Sequence, residues 1–221
     1  MKILKFNDKE YPQKLRYIND PPKQLYILGN EKILNSFSLA IIGCRDYTEY
    51  GKRISKDLSF KLSKKGINII SGLAKGIDSF AHIGCIVGGA KTIAVLGSGF
   101  NYIYPKENIE LLKEIVKNGG CIVSEYKEDT KPLQQNFPKR NRIISGLSNG
   151  VIVVEARQRS GTLITVEYAL EQGKEIFAVP GNINKSTSIG TNNMIREGAK
   201  IVTNIEDILE EYPHIFRYFW L

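Results

Sequence analysis

Short apolar runs rich in β-branched residues alternate with segments of helical spacing along most of the chain, and this constrains the fold more than any other feature. Leu39-Ala40-Ile41-Ile42-Gly43 is apolar throughout, as in strands buried on both faces of a parallel sheet. The segment after it carries Ile54, Leu58 and Leu62 on one stripe, predicting a helix that ends near Lys64. The same reading places further strands at 68–71, 91–96, 121–124, 151–154, 175–179 and 200–202. It places later helices at 141–147, 192–197 and 205–211, with a polar loop over 125–138. Alternating strands and helices require right-handed crossovers, so the fold class is α/β, a doubly wound and mostly parallel sheet. Residues 1–37 form an N-terminal extension punctuated by Tyr11-Pro12 and Asp20-Pro21-Pro22. It should hold a short helix near 13–17 and an extended piece at 24–28, packed on a main domain of residues 38–211. Residues 212–221 form an aromatic tail. Its Ile215, Phe216, Tyr218, Phe219 and Trp220 are expected to pack on the C-terminal part of the sheet or to join a homodimer contact.

Composition narrows the partners. With 42% hydrophobic and 24% charged residues the chain is a folded globular protein. Lys and Arg exceed Asp and Glu by 31 to 23, and a net charge of +8 favours an anionic partner. Cys44, Cys85 and Cys121 are odd in number and set among apolar residues, which reads as reduced core thiols of a cytoplasmic protein. With His82 and His214 as the only histidines, no metal site can be assembled and no cofactor is implied. The N-terminus has no apolar signal region, and no run is long enough for a membrane span.

In a doubly wound sheet, ligands bind beyond the carboxyl ends of the strands. Gly43 and Arg45, Ser71-Gly72, Gly97-Ser98-Gly99, Glu125 and Ser160-Gly161-Thr162 all follow strands and should gather on one rim. The stretch from Asn68 to His82 is a strand, a glycine-bearing turn at Gly72 and Gly76, and a helix start, a combination that suits an anion. Its spacing is neither the dinucleotide fingerprint nor the P-loop. Asp78 and His82 share a helix face there, and such a pair is more often a structural hydrogen bond than a metal site.

Three motifs carry charge toward that rim. Arg45 offers a guanidinium that forks onto phosphate; the competing reading is a surface salt bridge to Asp46 or Glu49. Phe137-Pro138-Lys139-Arg140-Asn141-Arg142 interleaves cations with a ring, which single-stranded nucleic acid requires: charge for its backbone and a flat face for a base. Cations at a helix start oppose the dipole, so local stability does not account for them. Arg157-Gln158-Arg159-Ser160-Gly161-Thr162 forms a second basic turn, and Ser160 or Thr162 serves equally as a helix cap. No nucleophile elbow or catalytic triad is present, so the expectation is a binding protein and not an enzyme.

In combination these motifs resemble the DprA/Smf family of bacterial DNA-processing proteins. The matching pieces also include Tyr11-Pro12, Ser71-Gly72-Leu73-Ala74-Lys75-Gly76-Ile77-Asp78, Tyr104-Pro105 and Val179-Pro180-Gly181. The resemblance implies an extended Rossmann-like domain that binds single-stranded DNA in a basic pocket, forms a homodimer and loads RecA recombinase during natural transformation. It places phosphate and base contacts on Arg45, Ser71, Gly72, Phe137, Arg140, Asn141 and Arg142; the full candidate site adds Gly43, Lys75, Lys139, Ser160, Gly161 and Thr162. Many relatives carry a C-terminal winged-helix domain, for which the residues from Tyr212 to Leu221 are too few. Some have a lysine just ahead of Phe137, where this chain has Gln134-Gln135-Asn136; Lys131 and Lys139 are the nearby substitutes. The rival is a nucleotide-binding or phosphoribohydrolase-type enzyme of similar fold. It is disfavoured because Thr165 stands at the glutamate position of that family's motif.

Overall fold

Strands β3 (Ser38–Gly43), β4 (Asn68–Ser71), β5 (Thr92–Leu96), β6 (Cys121–Ser124), β7 (Gly150–Glu155), β8 (Glu175–Ala178) and β9 (Lys200–Ile201) run parallel in a single sheet. Two further strands, β1 (Lys2–Lys5) and β2 (Gln24–Gly29), pair antiparallel and join it at β6. The computed structural model describes residues 1–216, and within them the order is β1-β2-β6-β5-β4-β3-β7-β8-β9. The chain steps outward from β3 to β6 on one side, then returns past β3 and continues from β7 to β9 on the other. The sheet is therefore doubly wound and Rossmann-like, with its switch point between β3 and β7.

The helices divide between the faces as the alternating strand residues dictate. Ile42, Ile70, Val95, Val123 and Val153 face α5 (Asn136–Leu147) and α6 (Gly161–Glu171), with α1 (Gln13–Arg16) and α7 (Ile189–Arg196) completing that layer. Leu39, Ile41, Ile69, Ile152 and Val154 face α2 (Glu49–Lys64), α3 (Ile77–Gly88) and α8 (Glu206–Leu209). On that same face α4 (Ile109–Lys117) covers Ala94, Leu96 and Ile122. A last short helix, α9 (Pro213–Phe216), ends the described chain. The tail residues Tyr218, Phe219 and Trp220 lie outside the described residues.

Helix α5 and strand β1 depart most from the sequence reading; α7 also starts three residues earlier than 192, at Ile189. Helix α5 begins at Asn136, not at 141, so Phe137, Pro138 and Lys139 belong to its first turn. Pro138 looked like a boundary, yet a first-turn residue has no intrahelical acceptor for its N–H, and a proline there loses nothing. Strand β1 went unforeseen because Leu4 alone in it is buried, leaving no alternation to read.

The pair α2–α3 is packed unusually closely, and the sequence carries the reason. Ser55, Ser59 and Ser63, spaced one turn apart on α2, donate to the carbonyls of Ile77, Ala81 and Cys85 on α3 at 2.9, 2.5 and 2.8 Å. Small hydroxyls reach those carbonyls only because Gly84 and Gly88 leave room. A Cβ on Gly84 would stand 2.5 Å from the Lys56 carbonyl oxygen, and one on Gly88 2.5 Å from Ser63 Cβ. Gly84→Ala should therefore destabilise the protein by about 2 kcal/mol through overpacking, read as a lower urea midpoint at unchanged slope.

Candidate nucleic-acid interface

Where the strand order reverses, the carboxyl ends of β3 and β7 diverge and a cleft of about 710 Å3 opens. Gly43, Cys44, Arg45 and Asp46 form one wall, and Arg157, Ser160, Gly161 and Thr162 form another. Phe137, Arg140 and Asn141 from the start of α5 close it, with Tyr104 at the mouth. Position 76 keeps the first wall in place. Gly76, at φ +88°, starts α3 so close to β3 that a Cβ would meet the Cys44 carbonyl oxygen at 2.5 Å, and Ile77 N–H donates to that same carbonyl at 3.3 Å.

The ring of Phe137 is the centre of the cleft. The Arg45 guanidinium carbon lies 5.5 Å from its centroid, that of Arg140 5.9 Å, and the Tyr104 ring 5.7 Å. Both cations sit at cation–π range. The two arginines differ in every other respect. Arg45 is exposed and has no carboxylate partner among the described residues; the surface pair on this wall is instead Asp46 with Arg157, at 3.8 Å. Arg140 is 4% exposed and donates through Nη1 to the Gly72 carbonyl at 2.7 Å and to the Val95 carbonyl. Burial lowers its pKa to about 10, with Asp78 opposing the shift and Arg45 adding to it, so it stays charged at neutral pH.

Helix α6 points its N-terminus into the cleft. The N–H groups of its first turn lack intrahelical acceptors, and the turn carries no acidic side chain. The Ser160 hydroxyl oxygen at its cap is buried without a partner, a cost of about 1–3 kcal/mol unless a ligand satisfies it. Asn141 locks the turn to α5, donating to the Gly161 carbonyl at 3.3 Å and accepting from Arg140 Nε at 3.2 Å.

The glycine turn after β4 behaves differently. Gly72 N–H donates to Asp78 Oδ2 at 3.0 Å, so the anion at the start of α3 is the protein's own buried carboxylate. Burial raises the Asp78 pKa, against the opposing charge of Arg140 and the hydrogen bonds it accepts. Gly72 is pinned between the two, since a Cβ would lie 2.7 Å from both Arg140 Nη2 and Asp78 Oδ2. Ser71 is likewise occupied, its hydroxyl donating to the Ile41 carbonyl at 2.7 Å.

Of the thirteen residues the sequence analysis nominates, the cleft wall gathers Gly43, Arg45, Phe137, Arg140, Asn141, Ser160, Gly161 and Thr162. Ser71 and Gly72 lie behind the wall, and Lys75 and Lys139 are exposed outside it. Arg142 faces away. It is 3% exposed, with Nη2 donating to Glu125 at 2.7 Å and Nε to Asp20 at 3.0 Å, so its charge is spent joining α5 to the N-terminal segment. Two residues apart on a helix means opposite faces, so Arg140 and Arg142 never point the same way. Tyr104 and Asp46 are wall residues that the reading did not nominate; the Tyr104-Pro105 dipeptide was the visible trace of the first.

His82 does not pair with Asp78. Its Nδ1 lies 2.7 Å from Thr92 Oγ1, which itself donates to the Ile69 carbonyl, so Nδ1 carries the proton. Burial and the charge of Arg140 press its pKa down to about 3. The folded-state value lies below the ordinary one, so the unfolded chain binds the extra proton between about pH 6.5 and 3. Stability therefore falls with acidification across that window, by up to about 1.4 kcal/mol per pH unit from this group. His82→Gln should flatten the difference curve there, measured by urea unfolding at several pH values. Arg142→Met should destabilise by about 3–5 kcal/mol, because Glu125 loses its buried cation.

Fold and cleft together define a Rossmann-like α/β protein with a cation-lined cleft at the sheet's switch point. The model of the family DNA recombination-mediator protein A matches residues 2–213, and the chain belongs to this family. Protein Smf of Escherichia coli is 45% identical over 219 residues, covering 99% of this chain, which spans 58% of the length of that relative. The X-ray structure of DNA processing protein A from Streptococcus pneumoniae superposes with a TM-score of 0.90 at 42% identity, covering 95% of this chain and 74% of that one. The corresponding protein of Helicobacter pylori, described for its single-stranded DNA binding mode, gives 0.85 at 32% identity over 96% of this chain and 95% of that one.

Proposed function

We propose that the cleft holds single-stranded DNA, with the strand's phosphates on Arg45 and the α6 N-terminus and a base against Phe137. The observation that carries this reading is the exposed, carboxylate-free Arg45 stacked on the Phe137 ring beside a helix N-terminus with an unsatisfied Ser160 hydroxyl. A single strand splays its bases to reach a ring inside a cleft, whereas a duplex must first unstack. The related Helicobacter pylori protein, described for its single-stranded DNA binding mode, supports the same assignment. The wider role follows the family resemblance: protecting the strand, passing it to a RecA-type recombinase, and acting as a homodimer. Binding without catalysis fits the cleft's carboxylates, since Asp78 is engaged internally and Asp46 by Arg157.

Measured by fluorescence anisotropy across salt concentrations, binding should favour single strands over duplex. With about three or four phosphates neutralised, log affinity should fall against log salt with a slope near −2 to −3. Arg45→Ala should flatten that slope by roughly 0.7 and weaken all sequences alike. Phe137→Ala should cost about 1–3 kcal/mol of binding while leaving the slope nearly unchanged. Equal binding of duplex and single strand, or an Arg45→Ala variant indistinguishable from wild type at every salt, would remove the assignment.

A further inference from the structure

Tyr104 is 48% exposed at the mouth of the cleft, and its hydroxyl has no hydrogen-bond partner among the described residues. Its neighbour is the Phe137 ring, at a centroid distance of 5.7 Å and an angle of 56°. The two rings differ in access. Phe137 is half-buried, with Gly97 against its ring and the guanidiniums of Arg45 and Arg140 at cation–π range. Tyr104 is the more open of the pair, an amphipathic ring with its polar end unclaimed.

The loop that carries Tyr104 is tied down along its length. It leaves β5 as Gly97-Ser98-Gly99, where Ser124 Oγ donates to the Ser98 carbonyl at 2.8 Å and Ser98 Oγ to the Tyr102 carbonyl at 2.7 Å. Gly99 N–H donates to the Thr130 carbonyl at 2.8 Å and Asn101 N–H to the Glu128 carbonyl at 3.0 Å, so the loop is paired with the segment after β6. A side chain at Gly99 would overlap the Lys127 and Glu128 carbonyls, and the pairing therefore requires glycine there. A ring placed before binding loses little conformational freedom when a ligand stacks on it.

The cleft also has room beyond one base. Its volume of about 710 Å3 lies in the upper half of the range for sites that enclose drug-sized ligands, about 300–1,000 Å3, and a nucleobase is smaller than such ligands. We propose that Tyr104 is a second base platform: the nucleotide next to the one at Phe137 stacks on its ring, so the cleft seats two successive nucleotides of a strand. The proposal rests on the single-strand reading above. Every base has a π-face, so two such rings select an unpaired dinucleotide step without selecting its sequence.

The test uses thymidylate strands of one length in which abasic residues replace every base, every base but one, or every base but two adjacent ones. Phosphate number is then constant and only stacking varies. Wild-type protein should bind the two-base strand about tenfold better than the one-base strand, the gain of one further base–ring stack. Tyr104→Ala should bring that ratio to about one and leave the one-base affinity and the salt slope nearly unchanged. Tyr104→Phe, which keeps the ring and loses the hydroxyl, should retain the ratio. If Tyr104→Ala weakens all three strands alike, the ring is only structural and the inference falls. If wild type binds one-base and two-base strands equally while Phe137→Ala still weakens the one-base strand, the inference falls and the single-strand reading stands. If full oligothymidylate binds no better than duplex, both fall. A two-base preference that survives Tyr104→Ala places the second base elsewhere and overturns the proposal.

Discussion

The buried guanidinium of Arg140 is the interaction on which the rest of the rim depends. It reaches from α5 across the ends of β4 and β5, closing on the Gly72 and Val95 carbonyls, and so fixes α5 over the sheet. Phe137, three residues earlier on the same helix, is thereby set where a Cβ on Gly97 would lie 2.9 Å from its ring. Burying a cation costs several kcal/mol unless it is compensated, and here two carbonyls accept from Nη1 and Asn141 from Nε while Asp78 supplies opposing charge. The arrangement explains why Gly72 has no side chain: it occupies the space between the guanidinium and the carboxylate.

The switch point distributes chemistry to either side of β7. The loop after β3 carries Arg45 into the cleft and Thr48 to Glu155 at the end of β7, and Thr48 also caps α2 through its hydroxyl, accepting from Gly51 N–H at 3.1 Å. Glu155 ties that loop to the end of β7 and so supports the wall that carries Arg45.

Much of this was legible in the chain. Strands buried on both faces announce themselves as unbroken apolar runs, and the crossover rule then fixes which strand ends share a rim. Arg45, Phe137 and Ser160-Gly161-Thr162 could be nominated because each follows a strand or opens a helix beside a basic cluster. The sequence starts α5 too late because a proline reads as a break, although the first helical turn tolerates it. The glycine turn after β4 reads as a site for an external anion because nothing local says that Asp78 will fold back onto Gly72 N–H.

Local periodicity therefore determined the sheet, its helices and the rim, since these follow from which residues can be buried at spacings of two or about 3.6. Tertiary structure alone decided which charges on that rim are free. Arg140 and Arg142 are equivalent as sequence, two cations in one basic run. The helix turns them to opposite faces: Arg140 meets carbonyls beneath the cleft, while Arg142 meets Glu125 and, 122 residues away, Asp20. Arg45 is exposed and has no carboxylate partner among the described residues. A side chain's partners are set by the register of distant strands, and no window of sequence contains that register.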